Sequence, residues 1–376
     1  MNASTPRRIT VDSIHATDYA DTRLVHAANC LGARDVICTH LAECGTLPLC
    51  VSPRDPVLAS SSTAFVAWYG ERLDIIGALL DEYGAILWRG FAVPDTASFG
   101  TLGALYPPHS HGYTAGAAPR KAIADQVYES TRMPPPFKIG LHQEMAYMAT
   151  YPRLLAFYCS VPAEAGGETP ICDMRRVTAR LPAAVRERFS ARGVMYLRNF
   201  APPQRRDDTN QNPLFAEYHR PWDEAFDTTE RTEVERLCAE RKLGCTWLDD
   251  GSITVSHVGP AMVAHPRTAD IVWFNQASAQ HPNPRSMGDL SYRQLQRVFG
   301  TRAAFPYEIR YGDGSEMPYD DLVAVYDAMD HEEVAFAWRT GDVLVIDNLL
   351  TAHGRNPYRG TRQTHVMLLD YPDTRS

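Results

Sequence analysis

The chain predicts a mainly β fold with peripheral α-helices, built as one domain around a closed or sandwiched β core. Three observations carry this expectation. Short apolar runs with strand character recur along the chain, at 84–91, 154–161, 194–200, 342–347 and 363–370 among others. Glycine, proline and aspartate punctuate these runs at close intervals. No linker-like stretch separates two cores within the 376 residues, a length at which roughly three quarters of the unfolded surface can be buried. The organisation expected is a single domain over 1–376, with residues 1–80 as an N-terminal extension of unassigned role and an insertion at 201–243.

The elements follow in order. Residues 1–60 read as irregular, with Pro48, Pro53 and Pro56 marking an extended entry. Residues 62–82 read as one amphipathic helix, followed by the buried strand Gly84 to Phe91 and a helix near 95–106. Pro134-Pro135-Pro136 blocks both helix and ladder, so a loop precedes His142. A strand at 154–161, a turn at Gly166-Gly167 and a strand at 168–172 lead to a helix at 174–191. After the strand 194–200, a polar stretch and a charged helix at 229–242 make up the insertion. Strands are then expected at 244–249, 252–257, 261–265 and 270–275, helices at 288–299 and 318–330, and strands at 333–338, 342–347 and 363–370.

Bulk properties exclude several classes. The net charge is −8 with the signs interspersed, which argues against nucleic acid or an anionic membrane as partner. The start is polar and lacks a signal-peptide core, and the most apolar region, 65–93, is broken by charges, so a cytoplasmic location is expected. The eight cysteines form no C-x-x-C pair and read as buried free thiols. Neither a G-x-S-x-G elbow nor a phosphate-binding loop is present.

The chemistry concentrates in two distant segments, His142-Gln143-Glu144 and Asp347-Asn348 followed by His353 and Arg362. Two imidazoles and one carboxylate are the ligand set of a ferrous ion that keeps open coordination positions. Positions i and i+2 of a strand share a face, so His142 and Glu144 can reach one metal, with Gln143 turned away. A buried, hydrogen-bonded polar pair is the plainer alternative. His331-Glu332-Glu333 carries the same spacing but ends a charged helical stretch, where i and i+2 diverge. Arg362 opens an apolar strand, where a guanidinium needs an anion and reads a carboxylate bidentately. A surface salt bridge is its alternative. Residues near Met145, Tyr147 and Asn275 are expected to line the pocket. Lys138 and Arg355 can meet a substrate carboxylate, although a solvated cation is the simpler reading of each. His109-Ser110-His111 reads as exposed loop, and Arg175-Arg176 as a solvated helix face.

These segments together resemble the taurine dioxygenase-like (TauD/TfdA) family. The similarity runs through Gly84 to Phe91, His142-Gln143-Glu144, Gly166-Gly167-Glu168-Thr169-Pro170 and Gly341-Asp342 to Arg362, over roughly 80–372. Val127 to Thr131, Trp273-Phe274-Asn275-Gln276 and Tyr311 to Gly314 are similar to the branch holding the syringomycin-pathway aspartyl hydroxylase. The resemblance implies a double-stranded β-helix (jelly-roll) core, iron held by His142, Glu144 and His353, and 2-oxoglutarate held by Thr169 and Arg362. O2 would be the co-substrate, and an amino acid, free or tethered to a peptidyl carrier protein, would be hydroxylated in the making of a specialised metabolite such as an antibiotic. Glutamate stands where the family more often has aspartate, and a ligating carboxylate argues against halogenation. Val366 stands where the taurine enzyme has a second arginine, so a two-arginine clamp is not expected. Desaturation or cyclisation on the same ligands is an alternative outcome, and a non-catalytic jelly-roll binding protein is an alternative of another class.

Overall fold

In the computed structural model, the described residues are 21–41, 47–109, 122–124, 126–130, 133–203 and 219–372. The largest layer is an eight-stranded sheet in the order Val36–His40, Leu49–Pro53, Ala85–Trp88, Val343–Asp347, Leu154–Val161, Gln363–Leu369, Val127–Glu129 and Ala122–Ala124. All its pairs are antiparallel except Leu49–Pro53 with Ala85–Trp88. The central strands are mostly apolar because both faces are covered. On one face Ile86, Trp88, Ala156, Tyr158, Val343, Val345 and Met367 pack with Phe65, Tyr69, Leu80 and Phe99 of the flanking helices. Their alternate neighbours, Leu87, Leu155, Phe157, Leu344, Ile346, Val366 and Leu368, form an inner core with Ile171, Phe336 and Trp338.

Ile171 belongs to a second, three-stranded sheet, ordered Ile139–His142, Thr351–Arg355, Ile171–Asp173. The chain leaves the large sheet at Asp347 and enters the small one at Thr351. Asp347 fixes that crossing: Oδ1 accepts from the Leu349 and Leu350 amides at 2.8 and 3.0 Å. Its Oδ2 accepts from Tyr371 at 2.8 Å and lies 3.0 Å from His265 Nε2. A third sheet of four strands, Gly244–Trp247, Ile253–Gly259, Val194–Phe200 and Tyr307–Tyr311, stands beside a helix-rich second core.

The mainly β expectation gives way to mixed α/β content, with helices as long as Tyr319–Glu332. Among the described residues the pairings fall into separate sheets and do not by themselves trace a jelly roll. Of the stretch 1–60 expected to be irregular, 1–20 and 42–46 lie outside the described residues; the rest forms the helix Thr22–Leu31, two strands that extend the large sheet and the short helix Pro56–Ser60. Prolines hid the second strand, where Pro53 sits at the end and costs little ladder bonding. The helix expected at 62–82 is two, Ser62–Gly70 and Leu73–Tyr83, and Arg72 at the break donates to the Leu31 and Trp68 carbonyls. Pro182 similarly divides 174–191 into Met174–Arg180 and Ala183–Arg192. Only an isolated bridge, Val334 with Ile171, stands where a strand at 333–338 was expected. No helix of the described residues is long and apolar enough to cross a membrane.

Candidate metal centre

His142 is the last residue of Ile139–His142, and His353 is the middle residue of Thr351–Arg355. The antiparallel register sets them directly opposite one another. Their rings lie 4.4 Å apart between centroids. Strand alternation does not deliver Glu144, because the strand has ended and the chain turns. The turn is held by Met145 at φ +57° and by a Met148 amide donating to the Met145 carbonyl at 2.8 Å. That turn swings Glu144 back, leaving its Oε2 3.8 Å from His353 Nε2. One ligand atom from each of His142, Glu144 and His353 can be chosen so that all lie within 4.8 Å of one another.

Several neighbours hold this arrangement. His142 Nδ1 lies 2.9 Å from the Gly140 carbonyl; with that nitrogen donating, Nε2 keeps its lone pair for a metal. The Phe157 ring of the large sheet packs 5.0 Å from the His353 ring. Asn348 clamps the Glu144 backbone: its Oδ1 accepts from the Glu144 amide at 2.7 Å, and its Nδ2 donates to the Glu144 and Pro152 carbonyls at 2.9 Å each. Gln143 is fully buried and faces away from the pair, donating to the Leu349 carbonyl at 2.8 Å. Gln276 in turn donates to the Gln143 carbonyl at 2.6 Å. Asn348, Gln276 and Phe157 were not among the site residues expected from the sequence, although Asn348 and Gln276 stood in the segments it singled out. Only Asn348, in an Asp-Asn turn after an apolar strand, carried a usable signal.

Arg362 and Thr169 also meet. Arg362 Nη2 lies 3.4 Å from the Thr169 hydroxyl, and its Nε donates to the Gly167 carbonyl at 2.9 Å. Trp338 Nε1 donates to the same hydroxyl at 2.9 Å. Among the described residues Arg362 forms no ion pair. Burial first, then the nearby Arg355 guanidinium, hold its pKa down at about 10. It therefore stays charged at neutral pH while lacking a carboxylate, which is what an anion-binding arginine requires. The donor set and this unpaired cation both fit a ferrous ion with 2-oxoglutarate.

The remaining expected site residues have these surroundings. Met145 is buried in the inner core. Asn275 spends its amide locally, donating to the Ala261 carbonyl at 2.8 Å and accepting from the Ala277 amide at 2.9 Å. Arg355 is buried and donates to the carbonyls of Met133, Pro134 and Phe137, so it ties down the loop before His142. Lys138 pairs with Glu333 at 3.1 Å. Tyr147 packs edge-on to Tyr196 at 6.2 Å and lines a cleft. Two surface readings are corrected. His109 is buried, 3.5 Å from Asp370 (Ser110 and His111 lie outside the described residues). Arg175 is no solvated side chain, since it holds Asp173 and the carbonyls of Asp81 and Glu82; Arg176 is exposed, as the solvated reading has it, and pairs with Glu332. Glu332 is thereby committed to two arginines, Arg176 and Arg180, while His331 is exposed.

Residues 63–369 match the family described as "Taurine catabolism dioxygenase TauD, TfdA family". The chain belongs to that family. It is an enzyme, an Fe(II)- and 2-oxoglutarate-dependent dioxygenase whose candidate triad is His142, Glu144 and His353. It is 33% identical over 299 residues to the dapdiamide synthesis protein DdaC of Enterobacter agglomerans, covering 79% of this chain and 86% of that protein. It is 29% identical over 334 residues to a clavaminate synthase-like protein of Arabidopsis thaliana, covering 87% and 94%. Among solved structures it is similar to PvcB from Pseudomonas aeruginosa, 16% identical with a TM-score of 0.49, covering 89% of this chain and 91% of that one.

Proposed function

We propose that this oxygenase hydroxylates an amino acid, free or carrier-tethered, in the biosynthesis of a specialised metabolite. The observation that carries the oxygenase site is the convergence of His142, Glu144 and His353 from segments far apart in sequence. The relative named for dapdiamide synthesis and the resemblance to the aspartyl hydroxylase branch support the substrate class. In this reading the three side chains bind one ferrous ion on a single face, leaving the other positions for 2-oxoglutarate and O2. With iron and 2-oxoglutarate bound, O2 would be the oxidant, one oxygen atom passing to the succinate formed with carbon dioxide and the other to the substrate. The protein supplies orientation and dryness. Arg362 and Thr169 grip the far carboxylate of 2-oxoglutarate, and Trp338 fixes the threonine hydroxyl for that task. Asn348 holds the Glu144 backbone, and Phe157 walls off the His353 side.

The eight-stranded and three-stranded layers, facing each other across Phe157, Ile171 and Leu344, are read as the two halves of a double-stranded β-helix within one oxygenase domain. The described residues of 1–80 then act as an extension of the large sheet, and those of 201–243 as an insertion beside the four-stranded one. Screening amino acids, free and carrier-tethered, for stimulated succinate release tests the substrate class. Product mass separates hydroxylation, which adds one oxygen, from desaturation or cyclisation. Succinate release that no amino acid stimulates would contradict the proposal.

A further inference from the structure

A cleft opens between the turn that carries Glu144 and the four-stranded sheet. Tyr147 and Met148 line it from the turn, and Tyr196, Phe200, Phe226 and Val255 supply apolar wall. Arg198, Arg220 and Arg241 line it as well, and no carboxylate does among the described residues. The Arg198 guanidinium stands 5.7 Å from the centre of the Tyr147 ring. Neither Arg198 nor Arg241 forms a salt bridge among the described residues, in a chain whose net charge is −8. Other arginines out of full solvent are matched to a carboxylate: buried Arg89 to Asp342, and half-buried Arg175 and Arg302 to Asp173 and Glu308. Cations left without a counter-charge against apolar walls gain from an anion that enters from outside, because the walls reduce screening.

The cleft is joined to the metal centre. Tyr147 belongs to the same turn as Glu144. Gln280 lines the cleft and donates to Gln276, which donates to the carbonyl of Gln143, the residue between the two candidate ligands. A ligand held here sits against the segment that positions the reaction.

We propose that this cleft is the substrate-recognition subsite, and that it takes a molecule with an apolar or aromatic body ending in an anionic oxyacid group gripped by Arg198 and Arg241. The word substrate rests on the oxygenase reading above; the class of ligand does not. Two sources share this chemistry, a carboxylate on a free substrate and the phosphate of a carrier's prosthetic arm.

The test is ligand-observed NMR titration of the whole protein with indole-3-acetate, its neutral isostere indole-3-acetamide, and pantetheine 4′-phosphate. Charge-assisted bonds predict that an anionic probe binds roughly 10- to 100-fold more tightly than the neutral amide. The Arg198→Gln/Arg241→Gln double variant should erase that preference, Arg198→Lys should keep part of it, and Arg362→Gln should leave it intact. Which anion binds better identifies the source. Equal binding of acid, phosphate and amide, a preference that survives the double variant or vanishes with Arg362→Gln, or no binding of any probe, would each overturn the proposal. If the wild-type protein makes no succinate at all, the oxygenase reading fails while the binding result stands.

Discussion

Replacing Asn348 with alanine should weaken metal binding and the fold together. Its side chain makes three buried hydrogen bonds, one accepted from the Glu144 amide at 2.7 Å and two donated to the Glu144 and Pro152 carbonyls at 2.9 Å. Asn348→Ala leaves one amide and two carbonyls without those partners in a site closed to solvent. At about 1–3 kcal/mol for each buried group left unsatisfied, the loss is about 3–9 kcal/mol. That is a large part of the about 5–15 kcal/mol by which domains are usually stable. The same bonds aim the Glu144 carboxylate at the two histidines, and removing such a support typically costs about 10- to 100-fold in metal affinity. Cobalt(II) titration by calorimetry reads the affinity, and denaturant unfolding of the metal-free protein reads the stability. Asn348→Ser, which retains a hydroxyl, reports the affinity should the alanine variant not fold. Unchanged metal affinity together with an unchanged unfolding midpoint would refute the positioning role.

Further outcomes are expected. Arg362→Gln should raise the KM for 2-oxoglutarate roughly 10- to 100-fold, the worth of a charge-assisted bond, while cobalt affinity holds; the opposite pattern would place Arg362 outside the 2-oxoglutarate site. Asp342→Ala strands the buried Arg89 guanidinium, which Asp342 meets at 2.7 and 3.1 Å. It should cost about 3–5 kcal/mol of stability, measured by chemical denaturation, with turnover retained below the melting transition. Burial and then the Arg302 guanidinium hold the His281 imidazole down at about 4, against 6.5 when free. Between those values the unfolded chain takes up a proton that the folded one refuses, so stability falls as pH drops from 6.5 to 4 and levels off below. The loss is roughly 3 kcal/mol, and urea titrations across that range should flatten in His281→Gln; an unflattened profile would remove His281 from the acid response.

Much of the large sheet was legible because its strands are apolar on both faces and bounded by glycine or proline. The runs at 154–161 and 342–347 needed no tertiary information. The strand that carries His353 was not legible. Thr351-Ala352-His353-Gly354-Arg355 is short and mixed in polarity, and its burial is imposed by the flanking strands Ile139–His142 and Ile171–Asp173. The helix breaks at Glu71-Arg72 and Leu181-Pro182 were missed because an apolar stripe ran through each of them. Within the site, residue types and wide spacing pointed to His142, Glu144, His353, Thr169 and Arg362, and the fold brings the first three together and the last two together. Arg355 looked like a ligand contact because it stands two residues after His353, and Asn275 was expected to line the pocket. Their partners are backbone carbonyls and amides, which sequence does not display.

The most direct measurement is an anaerobic titration with Fe(II) and 2-oxoglutarate, followed by visible absorption. A weak charge-transfer band should grow to saturation at one iron per chain, and should be absent from His353→Ala. No band in the wild-type protein, or an undiminished band in that variant, would contradict a single iron held between His142, Glu144 and His353.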